Sequence, residues 1–178
     1  MPDKYIVLDR DGVINVDLFD YVLKNETFEF EKGSIEALIK LSKNNYQIIV
    51  ATNQKCINLG LISTEGIEKI NNFWINKIKE LGGDILHIEV CPHRDEENCN
   101  CRKPKTGLLI AAEKKLNISL KESYFIGDKL SDLDCAVSHG CKPILVKTGY
   151  GSRTFSSSYP KETKVFENLK AAVDWIVN

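Results

Sequence analysis

Two aspartates separated by one residue follow the first apolar run of the chain. Asp9 and Asp11 stand in the sequence Asp-Arg-Asp-Gly, directly after Tyr5–Leu8. A carboxylate at such a place can attack phosphorus to form an aspartyl-phosphate, while a second carboxylate acts as general acid and then as general base. Acidic residues and glycine are also common wherever a strand ends in a turn, so the pair alone leaves both interpretations open.

Further polar residues follow two later apolar runs. Thr52 comes directly after one of them, and its hydroxyl could hold the oxygens of a transferring phosphoryl group. Asp128 follows the other and could complete an oxygen-rich magnesium site with Asp9, because hard cations prefer carboxylates. Between them, Arg102 and Lys103 belong to a cationic cluster suited to a phosphate. Each residue also has a plainer interpretation. Thr52 could belong to an ordinary polar loop, Asp128 could cap a helix, and Arg102 and Lys103 could belong to a solvated basic loop.

Three cysteines and a histidine crowd into one short segment with the pattern C-x-H-x5-C-x-C. Three thiolates and one imidazole predict a closed tetrahedral zinc site of structural type, and the alternative is a set of thiols beside an incidental histidine. The segment 92–105 has little apolar content, so we expect the metal to fold it and to present Arg102 and Lys103. The predicted ligands are Cys91, His93, Cys99 and Cys101.

Short apolar runs alternate with segments of helical period, which predicts an α/β fold with a doubly wound, mostly parallel sheet. Ligands bind beyond the carboxyl ends of the strands in such sheets, where the residues described above collect. The serine-rich stretch 150–160 is predicted to be a surface loop. The predicted strands are Tyr5–Leu8, Gln47–Ala51, Ile85–Val90, Ser123–Ile126 and Pro143–Val146. The predicted helices are Ser34–Lys43, Thr64–Leu81, Gly107–Leu116, Ser131–His139 and Leu169–Ile176.

The composition is that of an ordinary globular domain. The chain has 178 residues and a formal net charge of −1, so we expect one domain (1–178), no nucleic-acid partner and no membrane association. The start of the chain does not have the pattern of a signal peptide, which predicts a cytoplasmic protein. A monomer is expected. Three further cysteines, Cys56, Cys135 and Cys141, are predicted to be free thiols, mostly buried.

The order DxDG, Thr after a strand, Lys and GDxxxD resembles the four signature motifs of the haloacid dehalogenase superfamily of phosphotransferases, over residues 4 to about 150. This resemblance implies a Rossmann-like core, and the acid at Asp11 favours phosphoryl transfer. No segment is long enough for a separate cap domain, so we expect loops to grip a small substrate.

The zinc pattern narrows the resemblance to the D-glycero-D-manno-heptose 1,7-bisphosphate phosphatase family and its relatives, the histidinol-phosphate phosphatases. The segments that carry it read DRDGVINVD, TNQ, CPH, CNCRKP and GDKLSD. The resemblance implies that Asp9 is the nucleophile and a magnesium ligand. It also implies that Asp11 is the acid/base and binds magnesium through its carbonyl. By the same resemblance, Asp128 is the third magnesium ligand, and Thr52 and Lys103 stabilise the phosphoryl group. Lys129 lies at the phosphate site. The other residues implied to bind substrate are Asp17, Tyr21, Asn53, Gln54 and Arg102.

Two segments depart from the family pattern. The chain has Lys55-Cys56 where the heptose phosphatases usually continue Ser-Gly, and one extra residue stands within Leu18-Phe19-Asp20. Both segments line the substrate entrance in the family.

The function implied is magnesium-dependent removal of the 7-phosphate of a sugar bisphosphate, with Mg²⁺ and Zn²⁺ as cofactors and a small phosphorylated metabolite as partner. The pathway implied is heptose biosynthesis toward a lipopolysaccharide precursor. Three alternatives are a histidinol-phosphate phosphatase, a non-catalytic phosphoacceptor module and a phosphatase of nucleic-acid ends. The DxDG spacing disfavours the second, and the near-neutral charge disfavours the third.

Overall fold

One parallel sheet forms the centre of the molecule, and the computed structural model describes residues 4–178 of the chain. The sheet has six strands in the order β3-β2-β1-β4-β5-β6, and every neighbouring pair is parallel. The order changes direction at β1, so the ends of β1 and β4 face a crevice where ligands bind in such folds. The strands are β1 (Lys4–Leu8), β2 (Tyr46–Asn53), β3 (His87–Cys91), β4 (Tyr124–Gly127), β5 (Lys142–Val146) and β6 (Lys164–Phe166).

The two faces of the sheet pack against separate layers of helices. In β1, Ile6 and Leu8 belong to one apolar cluster and Val7 to the other, because successive side chains of a strand point to opposite faces. The first cluster includes residues of α1, α2 and α6, and the second includes residues of α3 and α4. The predicted doubly wound α/β fold is therefore confirmed. The helices are α1 (Ser34–Lys43), α2 (Thr64–Glu80), α3 (Gly107–Leu116), α4 (Leu130–His139), α5 (Gly151–Phe155) and α6 (Leu169–Val177).

The segment after β5 differs from the sequence prediction. A short helix, α5, lies within the stretch that was predicted to be a surface loop, and the edge strand β6 was not predicted. Helix α5 begins at Gly151, where a Cβ atom would fall 1.7 Å from the carbonyl oxygen of Val146, so only glycine fits this approach to β5. Five residues are too few to show a helical period.

No helix in residues 4–178 combines the length and the apolar character that are needed to cross a bilayer.

Trp74 is the largest side chain that the structure buries completely. Its ring stacks on that of Phe28 at a centroid distance of 6.0 Å, and its Nε1 donates a hydrogen bond to Asn71 Oδ1 at 3.2 Å. The same Asn71 oxygen accepts from Arg10 Nη1 at 3.3 Å, so α2 also supports the loop after β1. Trp175, in contrast, is 41% exposed beside Tyr124 and Phe166.

Replacing Trp74 with alanine is expected to lower the free energy of unfolding by about 3–5 kcal/mol, because the cavity cannot close around so large a deletion. Chemical denaturation followed by circular dichroism measures this loss. Trp175→Ala is the comparison, and we expect a clearly smaller loss there because that ring is partly hydrated. Equal losses in the two variants would contradict the assignment of Trp74 to the core.

Candidate active site

Three buried carboxylates meet beyond the carboxyl ends of β1 and β4. Asp9 follows β1, Asp128 follows β4, and Asp132 lies in the first turn of α4. Each offers an oxygen within 4.8 Å of the other two, a grouping that could hold a metal ion. Asp132 Oδ2 also accepts from the backbone N–H of Lys129, which caps the helix. The sequence does not by itself assign a role to Asp132, although its position four residues after Asp128, at a predicted helix start, is a usable signal.

Lys103 lies among these carboxylates and is 3% exposed. Its Nζ is 2.9 Å from Asp9 Oδ1 and 2.6 Å from Asp132 Oδ1, and it donates to the carbonyl of Ala51 at 2.8 Å. Burial alone would lower the pKa of Lys103, but Asp132 and Asp9 hold that pKa above its usual value. The ammonium group is therefore charged, in contact with two acids.

The carboxylates carry more negative charge than the described side chains neutralise. Burial raises the pKa of Asp9 to about 6, with a further contribution from Asp132 and an opposing one from Lys103. Burial also raises the pKa of Asp128 well above its usual value. Asp128 Oδ2 accepts from the N–H of Tyr150 at 2.7 Å, while Oδ1 has no hydrogen-bond partner within residues 4–178. A buried oxygen without a donor beside two other acids fits a hard divalent cation.

Asp11 occupies a different environment from Asp9. Its carboxylate accepts from Arg10 Nη2 at 3.0 and 3.1 Å, from Asn15 Nδ2 at 2.9 Å and from Gln54 Nε2 at 2.7 Å. Burial works against ionisation, but the guanidinium of Arg10 and these hydrogen bonds hold the pKa of Asp11 below its usual value. The fully buried Arg10 is thus a support of the site that the sequence did not single out.

Thr52 and Asn53, at the end of β2, and Gln54, directly after it, contact the site in different ways. The Gln54 amide that holds Asp11 also donates to the hydroxyl of Thr52 at 2.9 Å, and Cys56 Sγ donates to Gln54 Oε1 at 3.6 Å. Asn53 makes a two-point contact with the backbone of Lys103, accepting from its N–H at 3.1 Å and donating to its carbonyl at 3.2 Å. Asn53 therefore positions Lys103.

A cavity of about 460 Å³ opens above the carboxylates. Lys129 lines it, 2.9 Å from Asp17 Oδ2 and over the ring of Tyr150 at 4.8 Å. Burial would lower the pKa of Lys129, but Asp128 and the other nearby acids keep it above the usual value. All six predicted substrate-binding residues border this cavity: Asp17, Tyr21, Asn53, Gln54, Arg102 and Lys129.

The cysteine and histidine side chains come together as the spacing predicted. Cys101 Sγ lies 3.1 Å from Cys91 Sγ, 3.5 Å from Cys99 Sγ and 3.2 Å from His93 Nδ1. A tetrahedral zinc site with thiolate ligands has ligand separations of ~3.8 Å, so a small expansion accommodates the ion. His93 offers Nδ1, which the sequence could not indicate. The other cysteines are buried, and burial raises the pKa of Cys135 and Cys141 to about 12.

Asp95 lies in the loop between His93 and Cys99 and holds Arg102 at the rim of the cavity. Arg102 Nε donates to Asp95 Oδ1 at 2.7 Å, and Nη1 donates to the carbonyl of His93 at 3.2 Å. The hydrogen bond from Arg102 is the main reason that the pKa of Asp95 lies below its usual value. Sequence reasoning missed Asp95, which stands in an acidic run of ordinary appearance.

Comparisons with known proteins agree with this geometry. A family model described as HAD-hydrolase-like matches residues 100–172. The D-glycero-beta-D-manno-heptose-1,7-bisphosphate 7-phosphatase of Pseudomonas putida is 40% identical over 168 residues, which cover 94% of this chain and 96% of that protein. The protein of the same name from Helicobacter pylori strain J99 is 38% identical over 175 residues, covering 98% and 97%. The crystal structure of the D,D-heptose 1,7-bisphosphate phosphatase from B. bronchiseptica, complexed with magnesium and phosphate, superimposes with a TM-score of 0.94 at 32% identity and covers 98% of both chains.

The similarities to the two relatives and to the crystal structure extend over nearly the whole chain. Together with the family model, they make the chain a haloacid dehalogenase-like hydrolase and a phosphatase. Within that class, the chain belongs to the D-glycero-D-manno-heptose-1,7-bisphosphate 7-phosphatase family.

Asn53→Ala is expected to reduce kcat by about 10- to 100-fold, because the backbone of Lys103 loses both of its contacts with the amide. Steady-state phosphate release measures the effect. The exposed Asn72 on α2 gives the matched control, since Asn72→Ala removes the same amide far from Lys103. Unchanged turnover in Asn53→Ala would show that Lys103 is held in place without this amide.

Proposed function

We propose that this chain hydrolyses the 7-phosphate of D-glycero-D-manno-heptose 1,7-bisphosphate through an aspartyl-phosphate on Asp9. The observation that carries the proposal is the buried ammonium of Lys103, 2.9 Å from Asp9 and at the floor of the cavity. A cation at this place can neutralise a phosphoryl oxygen while Asp9 attacks the phosphorus. The names of the relatives support the heptose substrate, and most of those quoted specify the β anomer.

The carboxylates of Asp9 and Asp128, with the backbone carbonyl of Asp11, would hold Mg²⁺. The donor set fits, because it is made of oxygens and because Asp128 Oδ1 is buried without a hydrogen-bond donor in the described structure, with Lys129 Nζ at 3.9 Å. When bound, the ion supplies positive charge that neutralises the phosphate and stabilises the transition state. Asp132 binds Lys103 and therefore serves to orient that cation.

The proposed reaction has two displacements. In the first, a bond forms between an Asp9 oxygen and phosphorus, the bond from phosphorus to the sugar oxygen breaks, and Asp11 donates a proton to that oxygen. In the second, Asp11 takes a proton from water, the water oxygen attacks phosphorus, and Asp9 is released. Arg10 and Gln54 favour the carboxylate form of Asp11 that the second step needs. Lys103 and the Thr52 hydroxyl donate to the phosphoryl oxygens.

We also propose that residues 1–178 form a single phosphatase domain in which loops grip the substrate. Asp17, Tyr21 and Lys129 would contact the sugar or its phosphate from one side of the cavity, and Arg102 from the rim. Histidinol phosphate is the second candidate substrate. It carries one phosphate and a cationic amine, which a rim bearing Arg102 disfavours.

With added Mg²⁺, kcat/KM for the heptose bisphosphate is expected to exceed that for histidinol phosphate by about 100-fold or more. Asp9→Asn is expected to lower kcat by at least about 10⁴-fold, because the amide cannot accept the phosphoryl group. Phosphate release under steady-state conditions measures both.

Asp174→Asn is the matched control, since Asp174 lies on α6 and pairs with Lys40 and Lys170. We expect it to retain full activity. Appreciable turnover by Asp9→Asn would refute the assignment of Asp9 as the nucleophile. A reversed substrate preference would favour a histidinol-phosphate phosphatase. A stable phosphoprotein without turnover would favour a non-catalytic phosphoacceptor module.

We propose further that Cys91, His93, Cys99 and Cys101 hold a structural zinc ion. The support is the convergence of their three sulfur atoms and one nitrogen, with distances from Cys101 Sγ of 3.1–3.5 Å. All four positions of a tetrahedral ion would be filled by protein, so the ion would have a structural role.

Purified protein is expected to contain about one zinc ion per chain. A chelator, with Mg²⁺ in excess, should lower the melting temperature before it lowers the initial rate, because zinc stabilises the loop and takes no part in the chemical step. Elemental analysis and thermal unfolding measure these effects. Cys101→Ser should lose the ion, while the control Cys141→Ser should keep it. A chelator that removes zinc without changing the melting temperature would contradict the structural role.

A further inference from the structure

Two cations at the rim of the cavity share one carboxylate. Lys55 Nζ lies 3.5 Å from Asp95 Oδ2, and Arg102 Nε donates to Asp95 Oδ1 at 2.7 Å. All three residues line the cavity that also contains Asp9 and Lys103. The rim cluster formed by Lys55, Asp95 and Arg102 thus belongs to the same cavity as the reacting group.

The charges of the rim cluster do not cancel. Arg102 and Asp95 balance one another, so Lys55 adds one positive charge to a pair that is already neutral. The contact of Lys55 is also long and exposed, with 39% of its side chain and 64% of that of Asp95 accessible to water. Exposed pairs of this kind contribute little to stability. The ammonium has three donors and uses one, so it is free to bind an anion.

We propose that Lys55 binds the second phosphate of a bisphosphate substrate together with Arg102, an inference that rests on the proposed function. A sugar that carries a phosphate at each end can place one beside Lys103 and the other at the rim cluster of the same cavity. The ammonium adds a charge-assisted contact of the kind that phosphate oxygens prefer. Members of the family with serine at this position have no such charge.

The second phosphate does not react, so its contact with Lys55 is the same in the ground state and in the transition state. Such uniform binding changes KM and leaves kcat nearly unchanged. The effect must also disappear with a substrate that lacks the second phosphate. These two features distinguish an effect at the second phosphate from a general disturbance of the reacting site, and recovery in Lys55→Arg shows that the positive charge at position 55 is what binds.

The test compares heptose 1,7-bisphosphate with heptose 7-phosphate in the wild-type protein and in Lys55→Ser. We expect KM for the bisphosphate to rise by about tenfold in the variant, the value of one charge-assisted hydrogen bond at a partly exposed site. KM for the monophosphate and kcat for both should change less than about twofold. Lys55→Arg should restore most of the bisphosphate affinity.

Lys142→Ser is the matched control, since Lys142 pairs with Glu122 at 3.1 Å at the opposite end of the sheet. If the wild type hydrolyses the bisphosphate and Lys55→Ser does so with the same KM, this inference is overturned and the proposed function stands. Equal losses on both substrates would also overturn it, since Lys55 would then act through its neighbours. If the wild type does not hydrolyse the bisphosphate, the proposed function fails and the inference fails with it.

Discussion

The site depends on the buried ion pair between Lys103 and two aspartates. Asp9, Asp128 and Asp132 lie within reach of a single ion, and three buried negative charges at that separation repel one another. Lys103 contacts Asp9 and Asp132 within 3 Å and relieves part of this repulsion. Because Asp9 follows β1 and Asp132 lies in the first turn of α4, the ammonium also joins a strand and a helix to the loop that carries Lys103. The divalent cation that we propose would balance the remaining charge.

The loop that carries the four proposed zinc ligands also positions residues of the cavity. Its first ligand, Cys91, pairs in register with Asn53, and the backbone N–H of Gln54 donates to the carbonyl of Cys91 at 2.7 Å. Asn53 then holds the backbone of Lys103, and Asp95 holds Arg102. The four proposed zinc ligands thus lie in the same segment as Asp95, which holds Arg102, and the first of them pairs with Asn53, which holds the backbone of Lys103.

The architecture and the residues that meet at the site could be predicted from sequence, because buried parallel strands are continuous apolar runs and their ends converge. The cluster of Cys91 with His93, Cys99 and Cys101 could be predicted because its spacing is tight. The contacts between the side chains around the site could not be predicted from sequence. Nothing in the sequence shows that Arg10 is fully buried against Asp11 or that Asp95 pairs with both Arg102 and Lys55. Helix α5 and strand β6 were missed because both are too short to show a period.

Strand β3 lies at one margin of the sheet and, within residues 4–178, pairs with β2 alone. The segment with the proposed zinc ligands leaves from the end of β3. Residues 92–102 can therefore lengthen, shorten or change composition without disturbing a strand on the far side. Asp9 and Asp128, in contrast, follow β1 and β4, which have neighbours on both sides. Evolution, or an engineer, can consequently exchange this loop as a module to alter which phosphorylated molecules are accepted, while the chemical apparatus in the middle of the sheet is inherited intact.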